Sequence, residues 1–192
     1  MDQAAPIASQ AWYIIEDQSV PFGTQAWFII FAVMLFARGM DLLSTRVATP
    51  RMVLEGNPIA KKMGWAWGSL FNLAISIVFA FWPVPAIVVS TCSLLVAARN
   101  FEHAWLMRTM GEENYRDWFV ARLRETRLSL YLACLFGQTL LTALVGAAVI
   151  YFGQYSEVLV AIGTGILGYT GAVILFTSLA LWRMRRNRRK GL

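Results

Sequence analysis

Five long apolar stretches, at residues 26–48, 66–82, 84–108, 128–152 and 156–182, divide this chain, and basic residues gather only in alternate gaps. Each stretch is long enough, or nearly so, to cross a hydrocarbon core of ~30 Å as a helix. Arg46, Arg51, Lys61 and Lys62 lie about the first gap, and Arg108, Arg116, Arg122, Arg124 and Arg127 about the third. The tail adds Arg183, Arg185, Arg186, Arg188, Arg189 and Lys190. The gaps at 83–85 and 154–156 carry no basic residue, and neither does the segment before Trp27. The positive-inside rule therefore predicts an outer N-terminus and a cytoplasmic C-terminus. The expected fold is all-α, a polytopic transmembrane bundle of about five spanning helices in a bacterial inner membrane.

With 192 residues and 58% hydrophobic content, the chain has room for one membrane domain and no separate soluble one. Its expected parts are an outer interfacial segment (1–25), the five-helix bundle (26–182) and a basic cytoplasmic tail (183–192). The net charge of +6 follows from the topology-setting loops, and the tail suits anionic lipid head groups. No nucleic-acid recognition module fits between the apolar stretches. Cys92 and Cys134 lie in different stretches without a C-x-x-C spacing, so they read as small buried apolar residues. Residues 1–20 lack a basic start and a continuous apolar run, so the first spanning helix is expected to act as its own insertion signal.

Residues 7–18, with Trp12 and Tyr13, suit a short helix at the outer interface. Pro21 and Gly23 break the chain before Trp27, and Pro50 closes the first span. Pro83-Val84-Pro85 predicts a tight hairpin between the second and third spans. Residues 109–126, with Tyr115, Trp118 and Phe119, read as an amphipathic helix on the cytoplasmic interface. Gly163-Thr-Gly165-Ile-Leu-Gly168 matches a dinucleotide fingerprint in letters only, because it lies inside an apolar helix with no preceding strand. Ala161, Gly165, Gly168 and Ala172 recur at helical spacing and predict a small-residue seam. Gly165, Gly168 and Ala172 offer that seam to a second copy or a membrane partner.

The ionisable residues inside the apolar stretches carry the functional signal. Counting from Trp27, Arg38 lies about 17 Å into the membrane and Asp41 about 21 Å. Counting from Pro85, Arg99 also lies about 21 Å in, with Glu102 and His103 one turn further. Arg38, Asp41 and Thr45 share one helical stripe; Arg99, Glu102 and His103 share another, which turns Asn100 away. Arg38 with Asp41, Arg99 with Glu102, and Arg99 with Asp41 are all admissible pairs. Unpaired charge at this depth costs several kcal/mol, roughly, so these groups face each other or a wet cavity. They serve either as ion pairs that fix packing or as a ligand site.

After Pro50 come Arg51, Glu55, Gly56, Asn57 and Pro58. Asn57 suits an N-cap with Pro58 at the first helical position, and Glu55 and Asn57 are placed to fold over Asp41. The expected ligand-binding set is Arg38, Asp41, Thr45, Glu55, Asn57, Arg99, Glu102 and His103. His103 is the single histidine, which excludes a multi-histidine metal centre by count. A cation site from Asp41, Glu55 and Glu102 stays open. A Ser44, His103 and Asp41 triad lacks the nucleophile turn it would need. No cofactor is identified by these residues.

The order Asp41-Leu-Leu-Ser44-Thr45, then Glu55-Gly-Asn57-Pro58, resembles a bacterial family of small multi-spanning proteins, the domain of unknown function 5658 type. It covers residues 28–108 and implies a membrane bundle with these site positions, but no chemistry. Arg99-Asn-Phe-Glu102-His103, then Gly111 and Tyr115, is similar to membrane methyltransferases acting on isoprenylcysteine or phospholipid amines. That resemblance implies S-adenosylmethionine binding. The chain departs from it in His103 for an acid, a longer glycine-to-tyrosine spacing and two further helices. The leading reading is binding of a small charged ligand or lipid head group, in transport or lipid handling. Arg38 and Arg99 would take the anion, while Asp41, Glu102 and His103 would orient it or carry a proton. Its rivals are a lipid-modifying methyltransferase and a non-catalytic subunit of a membrane complex.

Overall fold

A computed structural model describes residues 19–189, with side chains through Trp182. Among those residues the chain is helical throughout, with no strand. The elements are α1 (Gln25–Ala48), α2 (Pro58–Phe79), α3 (Pro83–Met110), α4 (Glu112–Glu125), α5 (Leu128–Phe152) and α6 (Glu157–Arg189). The interfacial helix expected at 7–18 and the side chains of the basic tail lie outside the described residues. Four helices, α1, α3, α5 and the 157–182 part of α6, are long and apolar enough to cross a membrane.

The second apolar stretch differs from expectation. Asn57 caps α2 by accepting the Ile59 N–H (3.0 Å), and Pro58 opens the helix, as its sequence suggests. The helix then breaks at Gly64, where φ is 69° and ψ is −175°. Only glycine adopts that backbone without strain. Residues 65–79 remain beyond the break, about 22 Å of helix against a core of ~30 Å. Lys61 and Lys62 sit on the short piece before it. α2 is therefore not among the four helices that are long and apolar enough to cross a membrane.

α1 and α3 form the spine. Hydrogen bonds join Ser90 to Met34, Arg38 to Ser93, and Asn100 to Ser44 and Thr45, a constant offset of 55 or 56 residues. A constant offset over three turns means that the helices run parallel and nearly aligned. Their contact stripe is made of small side chains: Ala37, Ser44 and Ala48 on α1, and Ala86, Ser90, Ser93, Ala97 and Ala104 on α3. The alternating spacing of three and four lets the backbones approach closely, which is how helices gain van der Waals contact inside lipid. α3 packs on its other side against α6, which runs parallel to it, and α5 returns antiparallel along α6. α2 packs mainly on α1 and touches α3 only sparsely, so the expected tight α2–α3 hairpin splays apart beyond its turn.

The glycines of α6 divide their work. A Cβ on Gly165 would lie 2.7 Å from the Val88 carbonyl oxygen, and one on Gly163 would lie 2.7 Å from that of Gly146. Gly165 therefore seats α6 on α3, while Gly163 seats it on α5. Gly168 meets nothing within 4 Å and stays open. At the end away from the basic residues, Trp27 is buried against Val20, Phe31 and Phe81, and the Val20 N–H donates to the Phe81 carbonyl (2.8 Å). Trp27 thus locks the α2–α3 turn to the start of α1. Large apolar side chains on the outer faces, such as Phe36, Leu141 and Leu144, are exposed, as lipid-facing residues are.

Candidate functional site

The break at Gly64 and the splay of α2 open a cleft of about 490 Å³ between α1, α2, α3, α6 and the α1–α2 loop. That volume falls in the ordinary range for small-molecule sites. Arg38, Asp41, Thr45, Glu55, Asn57 and Arg99 all line it. Leu42, Trp65, Val173 and Phe176 supply apolar wall.

Arg38 donates from Nη1 to Asp41 Oδ2 (3.3 Å) and to Ser93 Oγ (3.0 Å), so one arginine ties its own helix to α3. Both members of this ion pair are about four-fifths buried. The crossed pair between Arg99 and Asp41 does not form. Arg99 has no carboxylate within salt-bridge distance among the described residues. Glu55 accepts the Asn57 N–H (2.7 Å) and likewise has no cationic partner among them. Two buried polar atoms of lining residues, Arg38 Nε and Asn72 Oδ1, have no hydrogen-bond partner in the protein.

The face of α3 differs from the one its charges suggest. Asn100 is not turned away: its Nδ2 donates to Ser44 Oγ and Thr45 Oγ1, both at 3.2 Å. Glu102 and His103 instead point outward and are exposed, and His103 Nδ1 lies 3.3 Å from the Arg99 carbonyl of its own helix. Neither lines the cleft. The cation site imagined from Asp41, Glu55 and Glu102 therefore does not assemble, and among the described residues no three His, Cys, Asp or Glu side chains gather. Gly111 stands at the start of α4 and Tyr115 is buried within it.

The loop over the cleft is held by a residue that no motif marks. Glu112, in the first turn of α4, is only 5% exposed. Its Oε2 accepts the Thr49 hydroxyl and the Val53 N–H (3.0 Å), and its Oε1 accepts the Arg51 N–H (2.9 Å). The Thr49 hydroxyl oxygen in turn accepts the Leu54 N–H (3.1 Å). This carboxylate gathers the loop into a tight curl in which Met52 takes φ 55°. Burial alone would raise the Glu112 carboxyl. The Thr49 hydroxyl, the Arg51 and Val53 amides and the Arg51 guanidinium outweigh it and hold the carboxyl below its ordinary range. From the other side, Trp65 Nε1 donates to the Pro50 carbonyl (2.9 Å), and Arg46 sits 5.7 Å from the centroid of the Trp65 ring.

The cleft is thus amphoteric, with two arginines and two carboxylates over a partly apolar wall, and its loop is clamped by α4 and α2. No family model, curated protein or solved structure matches this chain.

Proposed function

We propose that this chain is a multi-spanning protein of a bacterial inner membrane that binds a small charged ligand or lipid head group in this cleft, in transport or lipid handling. The observation that carries the reading is the unmet polar demand of the lining: Arg38 Nε and Asn72 Oδ1 are buried without partners, and Arg99 lacks a counter-charge among the described residues. Buried polar groups are nearly always satisfied, so two unsatisfied ones lining one cleft support a bound molecule there. Of the residues on which the resemblance to the uncharacterised multi-spanning family rests, Asp41, Thr45, Glu55 and Asn57 belong to that lining, while Ser44 and Pro58 do not.

The test is ligand retention. Wild-type protein purified in an uncharged detergent is expected to carry a bound molecule in native mass spectrometry, and the Arg99→Gln protein to lose it. A wild-type protein that carries none, from membranes or after incubation with lipid extract, would refute the reading.

Membrane orientation belongs to the same proposal. Parallel α1 and α3 require the chain to return between them, and α2 is the element available, which supports a fifth crossing. The basic residues at one end support placing that end and the tail in the cytoplasm, with anionic lipid as the tail's partner. A single cysteine at position 154 is then expected to react with an impermeant maleimide from outside, and one at position 187 only after lysis. External labelling at both positions rejects this topology.

A further inference from the structure

We infer that the cleft takes a zwitterion, with its anionic group on Arg99 and its ammonium on Glu55, and admits it sideways from the lipid as the head of an amphiphile. This rests on the ligand-binding reading above and names the class of ligand. The argument begins with subtraction. Four charged side chains line the cleft: Arg38, Asp41, Glu55 and Arg99. Arg38 and Asp41 neutralise each other at 3.3 Å and are further fixed by Ser93. What remains is one cation, Arg99 on α3, and one carboxylate, Glu55 in the loop, neither with a counter-charge among the described residues. Both belong to one wall-to-wall space, yet they are too far apart to pair with each other.

A simple anion would satisfy Arg99 and be repelled by Glu55. A simple cation would meet the converse. A ligand carrying both signs at a separation of several bonds satisfies both residues at once, as charge-assisted hydrogen bonds are the strong ones. Aminoethyl phosphate esters and free amino acids share this chemistry.

The shape of the cleft separates those two sources. α2 and α6 form its opposite walls but are not packed against each other, whereas α1 and α3 behind them are closely packed. The flank between α2 and α6 is therefore left without direct packing of those two helices, and it is the opening through which the lipid would enter. Phe176, Val173 and Trp65 lie on those walls, so acyl chains leaving through the gap would touch apolar surface. A lipid head with its chains still in the bilayer fits this geometry.

The experiment compares three probes on the full-length protein in uncharged detergent, reading occupancy by native mass spectrometry. These are dioctanoyl phosphatidylethanolamine, dioctanoyl phosphatidylglycerol and chain-free glycerophosphoethanolamine. The zwitterionic lipid is expected to bind about tenfold tighter than the anionic one, the contribution of one charge-assisted hydrogen bond. Glu55→Gln keeps an acceptor for the Asn57 N–H and is expected to abolish or reverse that preference. Arg99→Gln should weaken both lipids.

Equal binding of the two lipids by wild type, still weakened by Arg99→Gln, would overturn the zwitterion while leaving a ligand site. Glycerophosphoethanolamine binding as tightly as the lipid would overturn sideways entry and point to a soluble ligand. Binding of no probe, or binding indifferent to Arg99→Gln, would overturn the zwitterion; should wild type also carry nothing from its own membranes, the ligand reading falls with it. The wild-type preference among probes decides the matter even if a variant fails to fold.

Discussion

Glu112→Ala is expected to cost on the order of 3 kcal/mol of stability, more than any substitution in the exposed loops. It removes the acceptor for the Thr49 hydroxyl and for the Arg51 and Val53 N–H groups at one stroke. The Thr49 hydroxyl is buried and the two N–H groups are part-buried, so water replaces the lost acceptor only incompletely. The loop should then uncurl, and trypsin should cut after Arg51 faster than in wild type. Glu112→Gln retains acceptor oxygen but no charge and should cost less.

A pH dependence comes with the same residue, and its sign is fixed. The folded carboxyl titrates below its ordinary 4.5. The native state therefore holds fewer protons than the unfolded chain in that range. The Glu112 contribution is complete above pH 4.5 and is lost as pH falls through the lower folded value. Thermal unfolding of wild type against Glu112→Gln should show a stability gap that narrows on acidification below 4.5. A gap that stays constant with pH would mean the carboxylate is not what holds the loop.

Helix limits were largely legible because hydropathy and proline act locally. Stretches read at 26–48 and 128–152 correspond to Gln25–Ala48 and Leu128–Phe152. Pro50, Pro58 and Pro83 fall at helix ends for the steric reason that the preceding residue resists α geometry. The second stretch was less so, since the glycines of α2 look alike in sequence and only Gly64 breaks the helix.

The site was legible on α1 and in the following loop, where isolated charges stand in apolar surroundings. On α3 it was legible only in part: Arg99 lines the cleft, whereas Glu102 and His103 do not. The charged stripe there suggested the contact face, yet the face is set by the small residues Ser90, Ser93, Ala97 and Ala104, with Asn100 in register. Close approach of backbones selects the packed side, while Glu102 and His103 lie on the exposed side of the helix. The spacing of small residues was the signal available. Glu112 left none, because its partners lie about sixty positions earlier and a buried glutamate reads like any helix-starting acid.

Arg38 and Arg99 line one cleft and carry one charge each, and their substitutions should separate scaffold from site. Arg38→Ala strands Asp41 among buried small side chains and is expected to cost about 3 kcal/mol. Asp41→Ala leaves Arg38 holding only Ser93, with a comparable loss. Arg38→Ala/Asp41→Ala together should cost less than the two losses added, by about 1–2 kcal/mol, because no charge is then left unmatched. Additive losses in detergent unfolding would show that the pair is a crossing of side chains without energetic coupling. Arg99→Ala is the contrast. With no counter-charge among the described residues to strand, it should change stability by less than about 0.5 kcal/mol, or raise it, while emptying the cleft of ligand. An Arg99 substitution as damaging to folding as that of Arg38 would make Arg99 part of the scaffold. The asymmetry follows from the geometry: a paired arginine stabilises the bundle, and one lining the same cleft with no counter-charge among the described residues gains nothing from folding unless a ligand neutralises it.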